Sequence, residues 1–244
     1  MQEDLLAFSL FFLIATLYST IGHAGASGYL AVMGLLSFTP EAIKPTSYML
    51  NIVVAWIASV NFIHAGMFDR RIFFAFIMTS LPMAFAGGAI TLEPQYYKLM
   101  AGIFLIVSAL VLILQEFIRP RDTVRHMPLA VGLSLGGVIG LLSGLIGVGG
   151  GIFLSPILII TGWTTLRKAS GTAALFILCN SIAGIAGHAT SFPELDSNIF
   201  LWLVAVILGG LLGSYLGTKH FQRKMIITCL FLVLFTAGLK FLLI

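Results

Sequence analysis

Charge is what this sequence has least of, and the shortage excludes an ordinary soluble protein. Aspartate, glutamate, lysine and arginine make up 9% of the 244 residues, and hydrophobic residues make up 59%. A typical soluble domain carries about 25% charged residues. The composition therefore predicts that most of the outer surface faces lipid. Because a membrane-spanning helix needs about 20 apolar residues, the spans leave no room for a water-facing catalytic domain, and we expect no enzymatic activity.

Cysteine is scarce as well, and the few basic residues are scattered. Cys179 and Cys229 both lie inside apolar runs, which predicts two buried thiols rather than a disulfide or a redox pair. The formal net charge of +4 arises from short, separate basic groups. This pattern gives no reason to expect a nucleic-acid partner, and we predict none.

The uncharged stretches predict an all-α polytopic membrane protein. Two of them, Leu5–Pro40 and Met127–Leu166, are nearly twice the length of one span, and glycines interrupt each near its middle. Glycine breaks a helix at low cost. Each double stretch is therefore predicted to be a full helix followed by a short segment that crosses or re-enters the membrane. The whole chain then has about eight full spans and two such short segments.

The basic groups predict the orientation, since positive charge concentrates on the cytoplasmic side. We place Arg70–Arg71, the group Arg119–Arg125, Arg167–Lys168 and the group Lys219–Lys224 in the cytoplasm. Acidic connections such as Glu194 and Asp196 are placed outside. These assignments agree only if each half of the chain crosses the membrane an odd number of times, which puts both termini outside.

An internal repeat divides the chain into residues 1–120 and 121–244. The segment Tyr18–Leu30 can be laid on Leu142–Leu154, and each is followed by an apolar run and a basic residue, Lys44 or Lys168. Because an odd number of crossings inverts the second half, the sequence predicts two inverted-topology repeats. Inverted repeats with broken helices are typical of secondary transporters, whose sites lie near the membrane midplane.

The residues of both breaks resemble the sulfite exporter TauE/SafE family of membrane transporters. The resemblance rests on Gly144–Leu158, Arg167–Thr172 and Asn180–Ser181, and in the first half on Gly22–Leu30 and Lys44–Thr46. It implies movement of sulfur-containing anions such as sulfite, organosulfonates or thiosulfate, in a bacterial inner membrane. The first half departs from the plainer glycine run through His23-Ala24 and Ala26-Ser27, which suggests altered specificity.

An anion crossing lipid requires a site that replaces its water, since a bare ion is very costly to bury. Broken helices offer free backbone N–H groups and a partial positive charge at each new N-terminus. Hydroxyl and amide donors in apolar surroundings can add to them. The predicted substrate site contains the glycines of both breaks and the polar residues near them: Gly22, His23, Gly25, Ser27, Thr46, Ser47, Asn51, Gly149, Gly150, Gly151, Thr172 and Asn180.

Three histidines, His23, His64 and His188, are the ionisable side chains within the apolar stretches. His64 and His188 lie close to span ends and are interpreted as structural. His23 lies in the glycine break itself and is a candidate substrate or proton group, which makes protons a candidate coupling ion. No carboxylate or cysteine stands at ligand spacing from these histidines, so we expect no metal site and no cofactor.

Two alternatives stay open at this point. A passive anion channel would show the same sequence features. Gly25-Ala-Ser-Gly28 also fits the Gly-x-Ser-Gly pattern of rhomboid intramembrane proteases, with His188 as a base for Ser27. The second copy of the repeat has no serine in that place, which favours a transporter with two similar breaks over a protease with one nucleophile.

Overall fold

The computed structural model describes residues 2–20, 25–117, 124–189, 198–217 and 223–243, and in this part of the chain helices are joined by short connections, without strands. The ten helices are α1 (Gln2–Thr20), α2 (Ala26–Leu35), α3 (Pro40–His64), α4 (Arg70–Ala89), α5 (Pro94–Phe117), α6 (Leu129–Ile146), α7 (Gly151–Thr161), α8 (Leu166–His188), α9 (Ile199–Gly217) and α10 (Arg223–Leu243).

Six of these helices, α3, α4, α5, α6, α8 and α10, are long and apolar enough to cross a membrane. Helices α1 and α9 have 19 residues each, which gives about 28 Å at a rise of about 1.5 Å per residue. Large apolar side chains such as Trp56 and Phe200 lie exposed on the outside of the bundle, as a lipid-facing surface requires. The predicted all-helical, multi-pass fold is confirmed, whereas the exact number of spans stays a prediction.

Both predicted short segments are short helices that begin after a glycine. Helix α2 has 10 residues and follows Gly25 at φ +86°, and α7 has 11 residues and follows Gly150 at φ +76°. Helix α6 ends at Gly147, which is also left-handed at φ +93°. This conformation favours glycine because it has no Cβ. The predicted breaks therefore form at the predicted places; Gly22 and His23 of the first break lie outside the described residues.

Helices from the two halves of the chain pair reciprocally. Helix α1 packs against α9, and α6 packs against α4, while α3 packs against α8 and α5 against α10. Glycines permit the close approaches. A Cβ on Gly140 of α6 would lie 2.3 Å from the Ser80 carbonyl oxygen, and one on Gly209 of α9 would lie 2.3 Å from the Phe12 carbonyl oxygen. Gly87 and Gly88 of α4 also lie at such contacts, whereas a Cβ on Gly210 would have its nearest neighbour 3.6 Å away.

Two details differ from the sequence expectations. Cys229 is exposed on α10 and Cys179 is half-buried on α8, so the prediction of two buried thiols is wrong, although both are free. The reason is that an apolar run in a membrane protein includes positions that face lipid, and α10 presents Cys229 there. The uncharged stretch Pro45–Phe68 predicts a span that begins after Lys44. Helix α3 instead begins at Pro40 and takes Lys44 into the bundle, where it is 5% exposed.

Candidate substrate site

The second glycine break lies between two asparagines that come from different halves of the chain. The side-chain amide of Asn51, on α3, donates to the Gly147 carbonyl oxygen at 3.2 Å. The amide of Asn180, on α8, donates to the Gly149 carbonyl oxygen at 3.5 Å. Both asparagines are fully buried. The structure thus brings together Asn51, Asn180 and the glycine run, three parts of the predicted site.

Several buried polar atoms around this break lack a partner in the described part of the chain. The hydroxyl of Ser80 donates to Asn180 Oδ1 at 2.9 Å, but Asn51 Oδ1 and the hydroxyls of Ser143 and Ser181 have no hydrogen bond. A Cβ built on Gly149 would lie 3.0 Å from Ser181 Oγ, so that hydroxyl is at the break. A buried polar group without a partner costs about 1–3 kcal/mol, and a polar ligand or water would satisfy these atoms.

The first turn of α7 adds backbone donors to the same place. A helix leaves its first N–H groups without intrahelical acceptors, and the helix dipole favours an anion there. Gly149 and Gly150 both have positive φ. A Cβ on Gly150 would lie 2.6 Å from Ile139 Cγ2, and one on Gly151 would lie 2.3 Å from Ile177 Cδ1. The side chains of Ile139 and Ile177 therefore fill the space next to Gly150 and Gly151 in this conformation.

The first glycine break is lined by tyrosines that sequence reasoning missed. Ser27 Oγ lies 2.6 Å from the Tyr18 hydroxyl, and the buried Tyr29 hydroxyl has no hydrogen-bond partner among the described residues. A Cβ on Gly25 would lie 2.7 Å from that Tyr29 hydroxyl oxygen. The sequence signal that could have identified these tyrosines is their position, since they stand on either side of the break in a stretch without charge.

One apolar cluster joins the two breaks. It contains Ala26 and Tyr29 beside the first break and Val148 and Ile152 at the second. Ser47 stands four residues before Asn51 on α3, hence on the same helix face, and its buried hydroxyl also lacks a partner in the described chain. Thr46 next to it is buried. The two breaks are therefore connected by apolar packing.

Thr172 lies away from this cluster. Its hydroxyl accepts a hydrogen bond from the backbone N–H of Asp69 at 3.1 Å. Thr172 precedes Asn180 by eight residues of α8, about 12 Å along the helix axis. The Asp69 carboxylate in turn accepts from the Thr164 hydroxyl at 2.9 Å and caps α4 through the Ile72 N–H. Thr172 thus helps to join α4, α7 and α8 near their ends.

Lys44 is the main charged residue in the bundle that the sequence left without a role. Its ammonium donates to the carbonyl oxygens of Gly87, Gly88 and Ile90 at 3.2, 3.0 and 2.9 Å. These carbonyls form the C-terminal end of α4, where the helix dipole favours a cation. The structure shows no carboxylate bound to this ammonium in the described residues. Lys44 therefore supplies hydrogen-bond donors to the buried carbonyl oxygens at the C-terminal end of α4.

Of the three histidines in the apolar stretches, the structure describes His64 and His188. His188 is buried at the C-terminal end of α8, whereas the Ser27 hydroxyl is hydrogen-bonded to the Tyr18 hydroxyl. His64 is exposed and its ring Nδ1 lies 2.9 Å from the Val60 carbonyl oxygen. Among the described residues, no group of three histidine, cysteine, aspartate or glutamate side chains could hold a metal ion. In the described part of the chain, the structure thus pairs Ser27 with a tyrosine.

Comparison with known proteins gives one family and several relatives. Residues 7–241 match the family described as Sulfite exporter TauE/SafE. The chain is similar to the probable membrane transporter protein y4hK of Sinorhizobium fredii, with 34% identity over 95% of both chains. It is also similar to the probable membrane transporter protein YunE of Bacillus subtilis, with 23% identity over 82% of this chain and 80% of that one. No solved structure matches the chain.

Proposed function

Because the chain belongs to the sulfite exporter TauE/SafE family and is a multi-pass membrane transporter, we propose that it carries small sulfur-containing anions by alternating access. Sulfite, organosulfonates and thiosulfate are the proposed substrates, and the bacterial inner membrane is the proposed location. The observation that carries the proposal is the pair of buried asparagines, Asn51 and Asn180, on the glycine break ahead of α7.

The chemistry of this break suits an anion with several oxygens. One helix N-terminus contributes about 0.3–2 kcal/mol, far less than the tens of kcal/mol that a bare buried charge costs. Further donors are therefore necessary. Each asparagine amide has a second N–H besides the one that it gives to the break, and the hydroxyls of Ser143 and Ser181 are without partners among the described residues. Together they can replace several water molecules around a sulfur oxyanion.

The reciprocal helix pairing supports a two-fold arrangement of inverted halves. The first helix of residues 1–120 packs on the fourth helix of residues 121–244, and the first helix of the second half packs on the fourth of the first. A pseudo-two-fold axis in the membrane plane would produce this exchange. Rocking of one half against the other would then open the breaks to each side in turn.

Flux through proteoliposomes tests the proposal. We expect saturable uptake that competes with sulfite, thiosulfate and organosulfonates and responds to substrate on the far side of the membrane. Asn51→Ala should abolish it, because an amide at the break is lost. Asn61→Ala, on the exposed face of the same helix, is the matched control and should transport normally.

Two results would contradict the proposal. Flux that never saturates and ignores substrate on the far side would indicate a channel. Saturable flux that no sulfur anion inhibits would indicate a different substrate class.

A further inference from the structure

A basic cavity lies on the outside of the bundle, where α4 and α6 begin. Its volume is about 360 Å³, and it is lined by Arg70, Arg71, Phe74, Ala75, Met78, Met127 and Leu129. The two arginines form one end of the cavity. Phe74, Met78 and Leu129, by contrast, are 58%, 66% and 59% exposed on the apolar surface of the bundle. The cavity therefore has a cationic end that is continuous with a lipid-facing apolar wall.

In the described part of the chain, neither arginine of this cavity forms an ion pair with a carboxylate. Arg71 donates to His126 Nε2 at 2.5 Å, and a histidine adds no negative charge. The neighbouring Asp69 keeps its negative charge, but its two carboxylate oxygens accept from the Ile72 N–H and the Thr164 hydroxyl rather than from an arginine. The guanidinium of Arg70 has no side-chain partner within the described residues. A bound anion would supply a negative charge beside both arginines.

We propose that this cavity binds the phosphate headgroup of an anionic glycerophospholipid, with one acyl chain lying over Phe74, Met78 and Leu129. A guanidinium pair binds phosphate oxygens through charge-assisted hydrogen bonds. Arg70 and Arg71 are predicted to lie on the cytoplasmic side, where the leaflet is negatively charged and where basic pockets between helices bind headgroups. The apolar wall selects a lipid over a free phosphate ion, since only the lipid covers it.

The cavity is separate from the transport site. None of its lining residues belongs to the glycine breaks or to the asparagine cluster. The lipid would instead contact α4 at its first turns and α6 at Leu129, beside the contact in which Thr172 and Asp69 join α8 to α4. Lipid binding can therefore be measured without any transport assay.

Native mass spectrometry of the whole protein, released from nanodiscs of phosphatidylglycerol or phosphatidylcholine, tests this assignment. We expect one phosphatidylglycerol to be retained per chain and phosphatidylcholine to be retained much less. Arg70→Gln/Arg71→Gln should lower the retained phosphatidylglycerol about tenfold, the effect of losing at least one charge-assisted hydrogen bond. Arg70→Gln alone should lower the retained phosphatidylglycerol as well. Because this single variant removes no side-chain contact within the described residues, it keeps the test possible if the double variant fails to fold.

Arg167→Gln/Lys168→Gln is the matched control. Both residues are exposed near the start of α8, carry the same charge, lie on the same predicted side and do not line the cavity. This variant should retain phosphatidylglycerol like the unaltered protein. Equal loss in both double variants would overturn the proposal, because attraction would then be general. Equal retention of phosphatidylcholine, or displacement of the lipid by inorganic phosphate at low concentration, would also overturn it.

Discussion

At the scale of single residues, Lys44 shows how a buried charge is satisfied without a counter-ion. Its three acceptors are backbone carbonyls at the end of α4, which are the groups that a helix leaves unpaired. Lys44→Met keeps the length of the side chain and removes its donors, so the carbonyls stay buried without partners. We expect a loss of about 1–3 kcal/mol in the free energy of unfolding, measured as a lower Tm in detergent.

Lys168→Met is the control for this prediction. Lys168 stands at the matched position of the second half and is exposed, so its replacement should change stability by less than about 0.5 kcal/mol. An unchanged Tm in Lys44→Met, or an equal decrease in both variants, would show that the carbonyl contacts contribute nothing.

The proton-coupling hypothesis also rests on one residue, His23, which lies outside the described residues. A charged imidazole would favour anion binding, so affinity should fall as the pH rises through the range of about 5 to 8 in which imidazoles titrate. His23→Gln keeps hydrogen-bonding capacity and should flatten that dependence. The measurement is the affinity for an organosulfonate, which stays anionic throughout. An unchanged pH profile in the variant would make His23 a structural residue.

The sequence could predict which residues are polar at the breaks but not what they touch. Asn51 and Asn180 stand out as amides within apolar stretches, and positive φ at Gly150 follows from a helix that must restart. The partner of Asn51 is Gly147, 96 residues away, and no local pattern specifies such a contact. The sequence also did not predict that Lys44 is buried, because a basic residue beside an apolar run is typical of a span end.

At the scale of elements, the contact between α4 and α6 positions the site through glycines. A Cβ on Gly140 would lie 2.3 Å from the Ser80 carbonyl oxygen, and the Ser80 hydroxyl holds Asn180. Gly140→Leu should therefore separate the two helices and sharply reduce the yield of folded protein, measured by size-exclusion chromatography. Transport by any folded remainder should fall as well, since Ser80 would move away from Asn180.

Gly137→Leu is the matched control on the same helix. The nearest atom to a Cβ on Gly137 is 3.7 Å away, on Thr79, so this substitution should be tolerated with near-normal yield. Normal yield and activity in Gly140→Leu would show that the spacing between α4 and α6 is not needed for folding.

The short helices were the elements that the sequence predicted best. Each lies in an uncharged stretch too long for one span, and a glycine run marks its start, so length and composition suffice. Helix ends were less predictable. Helix α3 begins at Pro40 because proline suits a first helical turn, although Lys44 follows one turn later.

At the scale of the whole molecule, the predicted orientation can be tested with cysteines. Tyr96 lies beside Glu93, another acidic connection that the charge pattern places outside. In a background with Cys179→Ala and Cys229→Ala, Tyr96→Cys should therefore react with an impermeant maleimide from outside intact cells. Lys168→Cys should react only after the membrane is permeabilised. Both residues are exposed, so access depends on the side of the membrane alone. Labelling of Lys168→Cys in intact cells would contradict the predicted orientation.

The reciprocal pairing also has a consequence for how the protein is made. Helix α1 leaves the ribosome well before α9, which is its main packing partner. Likewise, Lys240 of α10 donates at the end of α2 to the Leu35 carbonyl oxygen at 2.6 Å and to Ser37 Oγ at 2.7 Å. We therefore expect α1 to lack its main packing partner in the membrane until α9 has been synthesised. A message truncated after the first half would yield a substrate for membrane quality control rather than half a transporter.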